Sequence, residues 1–234
     1  MTSCNHAQAC VLTLALLPGD ARSEPAVPCP PEFETLRYDE DYSCLRDPNA
    51  RQGPLDSIKY MPLPFGDDSY GSLGGEARLR YDYQHDPVWG QDPQDPHGAF
   101  LQRYVLHADA HLGTRFRAFA QLRSALEDGR AGAPSPVEEG ELEFQQAFAD
   151  VVLFDAASTD LIVRSGRQEM RLGSERLVST REGPNIRRRF DGLRGLVSLG
   201  AWDVSALALF PAENEDGFFE DGTHTDQALW APTP

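Results

Sequence analysis

The chain has 234 residues, 40% of them hydrophobic, with 37 acidic against 21 basic side chains and a formal net charge of −16. Its mean hydropathy of −0.46 and the lack of any apolar run near the ~20 residues of a spanning helix exclude a transmembrane helix. The acidic balance argues against nucleic acid as a partner, because neutralising phosphates takes positive surface. Neither property excludes a spanning β-barrel, whose strands need only ~10 residues each and alternate apolar with polar.

Residues Ala9 to Leu17, ACVLTLALL, form a short apolar core ahead of Pro18-Gly19 and the small Ala21, so residues 1–21 read as a candidate signal peptide, although no Lys or Arg precedes Ala9. Cys4 and Cys10 fall inside it, which leaves Cys29 and Cys44 as candidates for a disulfide in an exported protein. No Cys/His spacing suits a metal, and no cofactor is expected. Residues 22–70 form a Pro-rich, acidic lead-in (PAVPCPPEF, YDEDYSCLRDP). Such proline density forbids a regular ladder, and Tyr38, Tyr42, Tyr60 and Phe65 give this stretch anchors that a disordered linker would lack.

From Ser72 the chain alternates. Glu76, Arg78, Arg80, Asp82 and Gln84 interleave with Ala77, Leu79, Tyr81 and Tyr83. After the polar stretch HDPVWGQDPQDPHG, residues Leu101 to Leu112 set Arg103, His107, Asp109 and His111 against Tyr104, Leu106, Ala108 and Ala110. A Gly113-Thr114 turn leads to Arg115, Arg117, Phe119, Gln121 and Arg123 against Phe116, Ala118, Ala120 and Leu122, so these two strands read as a hairpin. A second long loop runs from Glu127 to Glu139. Glu141 to Phe154 alternates more loosely, and a turn at Ala156-Ala157-Ser158 returns the chain. GLRGLVSLGAWDVSALALF reads as a further hairpin turning at Gly200-Ala201, followed by the acidic loop ENEDGFFEDGTHTD. The expectation is seven or eight antiparallel strands joined alternately by short turns and long loops. Alternation alone also fits a soluble sandwich, but charges at every second position, together with unequal loops, point to a wet lumen and a lipid-facing exterior.

Leu161 to Gly192 concentrates the basic residues: eight arginines and no lysine against four acids, in a chain whose only lysine is Lys59. Its first half, Leu161 to Leu172, reads as a strand with Arg167 and Arg171 on one face. Its second half is an aperiodic loop ending in Arg187-Arg188-Arg189. A guanidinium offers a planar fork of donors that pairs bidentately with a carboxylate and stays charged.

The block GRQEMRLGSERLVSTREGPNIRRRFDG, with the Glu141 to Val163 strand pair and the earlier YDEDYSCLRDP and SLGGEARLRYDY, resembles the alginate export family of bacterial outer-membrane porins, over about Phe33 to Asp221. The resemblance implies an all-β fold, an antiparallel transmembrane β-barrel of eighteen strands in the outer membrane of a Gram-negative bacterium. Its arginine-lined pore would pass an anionic uronic-acid polysaccharide or a related carboxylate solute, in contact with outer-membrane lipid and with periplasmic secretion machinery. Residues 71–234 then read as part of that barrel, and the chain as an N-terminal fragment of it. Carried over by position, Arg167 and Arg171 with Glu169 between them, and Arg187, Arg188 and Arg189, become substrate-binding candidates, joined by the inward-row Arg78, Arg80 and Arg117. No enzyme activity is expected. The alternative is a secreted all-β binding module or enzyme acting on acidic glycans, for which His107, His111, Tyr104 and Glu169 are available but form no acid–base constellation.

Overall fold

The computed structural model describes residues 28–156, 159–200 and 202–233, so the signal-peptide segment and parts of the turns expected near 157 and 201 lie outside the described residues. Nine strands form one antiparallel sheet in sequence order: β1 (Met61–Pro62), β2 (Tyr70–Asp82), β3 (Ala99–Leu112), β4 (Phe116–Asp128), β5 (Gly140–Ala156), β6 (Thr159–Gln168), β7 (Phe190–Leu199), β8 (Trp202–Pro211) and β9 (Leu229–Thr233). The sheet is not closed; β1 and β9 are its edges. At one end consecutive strands are separated by residues 113–115, 157–158 and 200–201. At the other they are separated by residues 83–98, 129–139, 169–189 and 212–228, which is the expected inequality of loops. No helix among the described residues is long and apolar enough to cross a membrane.

Burial along the strands is inverted relative to a water-soluble sheet. On β3, Arg103, His107 and Asp109 are 1%, 4% and 6% exposed, while Leu106 between them is 60% exposed. On β2 the apolar row of Leu79 and Tyr81 stands open, and Phe116, Trp202 and Trp230 extend that apolar face onto other strands. Leaving a large apolar side chain in water forgoes roughly 1.5–3 kcal/mol that burial would return, so a row of them suits hydrocarbon rather than solvent.

The polar face is covered from within by three segments. The lead-in crosses it with Tyr38, whose ring stands edge-on to Phe119 at 5.9 Å and Phe148 at 5.3 Å and whose phenol donates to the Glu169 carbonyl at 2.9 Å. Burial pushes that phenol up to about 12. Tyr42 and Tyr60 are also buried, Cys29 and Cys44 form a disulfide, and Phe65 stays exposed. The loops 169–189 and 212–228 fold onto the same face.

Three departures from the sequence-based expectation have local causes. The looser alternation of β5 is a β-bulge: Gln121 pairs with Gln146 and Leu122 with Phe144, so Gln145 is inserted and both glutamines are buried. β6 ends at Gln168 instead of continuing to Leu172, because Glu169 turns into the interior. Its amide donates to Gln146 Oε1 at 3.0 Å and its carboxylate accepts from Gln145 at 2.6 Å, so Arg171 leaves the strand and shares no strand face with Arg167. Finally, two short strands, β1 and β9, had no alternation to announce them. Near the end of β6, Gly166 and Gly192 pair directly at φ +130° and +142°; a Cβ there would strike the Ala147 or Ala208 carbonyl.

Candidate functional site

Period-2 geometry delivers the inward residues of β2 to β7 to one concave wall, and the folded-in loops bring acids to them. At its centre Arg103 holds Glu76 at 2.7 Å and also pairs with Glu182. Arg187 pairs with the same Glu182, and lies 3.5 Å from both Glu76 and Glu169. From the lead-in, Arg37 joins Glu40 at 2.7 Å and Glu76 at 3.2 Å. Glu182 is half exposed. Burial alone would raise its carboxyl, but hydrogen bonds and charge from Arg103 and Arg187 hold it below the usual carboxylate range. Glu169 is fully buried, and there burial wins and pushes its carboxyl up.

The sequence-predicted residues are distributed as follows. Arg78 donates to the carbonyls of Glu182 at 2.7 Å and Pro184 at 2.8 Å, and Arg80 to that of Gly183, so both clamp the backbone of loop 169–189. Asn185 tethers the same loop by donating to the carbonyls of Gln102, Leu126 and Glu138. Arg117 forks onto Asp109 at 2.9 and 2.6 Å, and Arg167 onto Asp191 at 2.7 and 2.9 Å. Arg189 pairs with Asp221, which also takes Arg123 at 3.0 Å; the side chains of all three are essentially buried. Arg171 lies 3.5 Å from Glu175 on the loop. The structure thus brings Arg78, Arg187 and Glu169 to one cluster, with Arg80 beside it, and places Arg117, Arg167, Arg171 and Arg189 in others.

Arg188 differs from its neighbours. It sits 5.1 Å over the Phe190 ring, and among the described residues neither it nor Arg181 makes an ion pair. Burial first, then the like charge of Arg181, lowers its pKa. The two line a cavity of about 250 Å³ with Arg187, Arg189 and Asn214 and with no carboxylate in its wall. Such a hollow attracts an anion.

Arg103, Arg123, Arg164 and Arg194 were not singled out from sequence, although each lies on a strand of this wall; membership of the inward row was the available signal. Their partners Glu76, Glu182, Asp150 and Asp221 come mostly from distant segments. Among the described residues no group of three or more His, Cys, Asp or Glu side chains is arranged to hold a metal ion.

A family model for alginate export matches residues 69–230, from just before β2 into β9. No curated protein and no solved structure matches the chain.

Proposed function

Because the chain belongs to the alginate export family, a family of outer-membrane porins, we propose that it contributes the wall of a pore that passes an anionic uronic-acid polysaccharide such as alginate, or a related carboxylate solute. The observation that carries this reading is the inversion of burial along β2 and β3: guanidinium groups inward, leucine and aromatic side chains outward. In this reading the outward face meets outer-membrane lipid, the wall does no bond-breaking chemistry, and periplasmic secretion machinery supplies the polymer. The arginines act as a series of weak carboxylate sites. Acids from the loops keep each site from clamping a polymer that must also leave. A secreted glycan-binding module, the competing reading, would place its apolar rows in a packed core, and here those rows are open.

The test is fractionation followed by conductance. The protein is expected in the outer membrane with heat-modifiable migration, and bilayers containing it are expected to conduct with anion selectivity and to be blocked by oligouronates. A Leu106→Arg substitution at the outward face is expected to cost about 2–4 kcal/mol near the bilayer midplane and to reduce insertion. A soluble periplasmic protein that migrates identically boiled or unboiled, and tolerates L106R, would overturn the reading.

A further inference from the structure

We propose that residues 29–44 form an autoinhibitory finger: docked on the concave wall it obstructs the pore, and it opens the pore by lifting off as one unit. The pore itself rests on the porin reading above; the finger rests on how this segment is held.

The finger has a fixed base and a lightly held tip. The Cys29–Cys44 disulfide closes the segment on itself and limits the shapes open to it. Beside the bridge, Tyr42, Leu45, Tyr60 and Tyr70 form one buried cluster, with the Tyr60 and Tyr70 rings stacked at 4.8 Å. Tyr70 is the first residue of β2, so the base is built into the sheet. The tip, residues 35–39, meets the wall mostly through neutral groups. Arg187 donates to the Thr35 carbonyl at 3.2 Å and Arg117 to that of Tyr38. The Tyr38 ring lies 4.2 Å from the Arg164 guanidinium and stands beside Arg194, which is opposite Arg164 in the β6–β7 ladder. Among the described residues one ion pair joins this segment to the strands, Arg37 to Glu76 at 3.2 Å.

What seats the tip is apolar. The inward row of β4 runs Arg117, Phe119, Gln121, Arg123, and Phe148 of β5 pairs with Phe119 across the ladder. Leu36 and Tyr38 cluster with these two rings, which are 2% and 5% exposed. With the tip lifted both rings would face the water of the lumen, and that favours the closed state. The carbonyl contacts, by contrast, would be exchanged for water at small net cost. The closed state is thus held by one apolar seat and one ion pair, few enough contacts to release together.

The experiment records currents of the full chain in planar bilayers and, on the same preparations in detergent, hydrogen exchange of residues 33–41. Tyr38→Ala, which removes ring and phenol, is expected to raise the open fraction about tenfold or more. Exchange in residues 33–41 is expected to quicken while β4 to β6 keep their protection. Arg37→Gln, which breaks the pair with Glu76 and keeps the apolar seat, is expected to give a smaller rise of about threefold, and serves should Y38A fail to fold. Unchanged currents in folded Y38A and R37Q, when the unsubstituted protein conducts, would overturn the finger and leave the pore. Faster exchange in residues 33–41 with no change of current would do the same. No conductance from any of the three proteins, Y38A included, would sink the porin reading and the gate with it.

Discussion

Around Arg103 and Arg187 the wall supplies Glu76, Glu169 and Glu182, and Arg37 brings Glu40 beside them; around Arg194 it supplies the Ser205 and Tyr38 hydroxyls and a hollow with Asp39 and Glu175 in its wall. The first group is locked. Acids from three segments surround its guanidinium groups and fix the loop 169–189 onto the strands, although Nε and Nη1 of Arg103 are buried without a partner. The second group is half-buried and holds its guanidinium with hydroxyls, with no carboxylate within 4 Å of Arg194 among the described residues. Arginine number therefore does not tell the two groups apart; the carboxylates within reach of each guanidinium do.

Substitutions can break this contrast. The largest effect is expected at Asp221, which alone serves both Arg123 and Arg189 in a pair with side chains 0–1% exposed. Asp221→Asn strands two buried cations and is expected to cost about 3–5 kcal/mol, read as a lowered urea midpoint in detergent. Glu182→Gln comes next. With that carboxylate half exposed, the expected stability loss is about 1 kcal/mol or less, while Arg103 and Arg187 become more open to carboxylates; calorimetry should then show stronger acetate binding than in the unsubstituted protein. Unchanged acetate binding would mean that Glu76 alone saturates the group.

Acidification acts on the same carboxylate more mildly. The folded-state pKa of Glu182 is lowered, so its contribution is complete above the ordinary carboxylate value of about 4.3 and is lost as pH falls through the lower folded value. Hydrogen exchange within residues 177–184 is expected to quicken below that range, and to show no such step in E182Q. The smallest stability effect belongs to Arg194→Gln. Removing one of two opposed cations is expected to leave stability unchanged or raise it by roughly 0.2–1 kcal/mol, in the same denaturant series that penalises D221N. A large loss in R194Q would erase the distinction between the two groups.

The strands and the inward row were legible because a period of two survives any tertiary context. Arg103, His107 and Asp109 fall on one side of β3 whatever packs there. The partners were not legible. Glu182 reaches Arg103 across 79 positions and Asp221 reaches Arg123 across 98, and neither loop has a period that could announce its path. β6 was read four residues too long because Glu169 and Met170 continue its alternation on paper, whereas buried hydrogen bonds to Gln145 and Gln146 divert the chain. Those two glutamines are neighbours only through a bulge, and a bulge in a sequence looks like weak alternation.

Tyr38 touches Phe119 of β4, Phe148 of β5, the Arg164 guanidinium of β6 and the Glu169 carbonyl beyond it, spanning 131 positions to the last. A chord that rests on three consecutive strands has a landing surface only once their ladders exist, and closing so long a loop earlier would spend chain entropy with nothing to offset it. Docking of the lead-in is therefore expected to follow the ladders of β4, β5 and β6. Once docked, one ring of the lead-in touches three adjacent strands at once, so a change at Tyr38 reaches β4, β5 and β6 together.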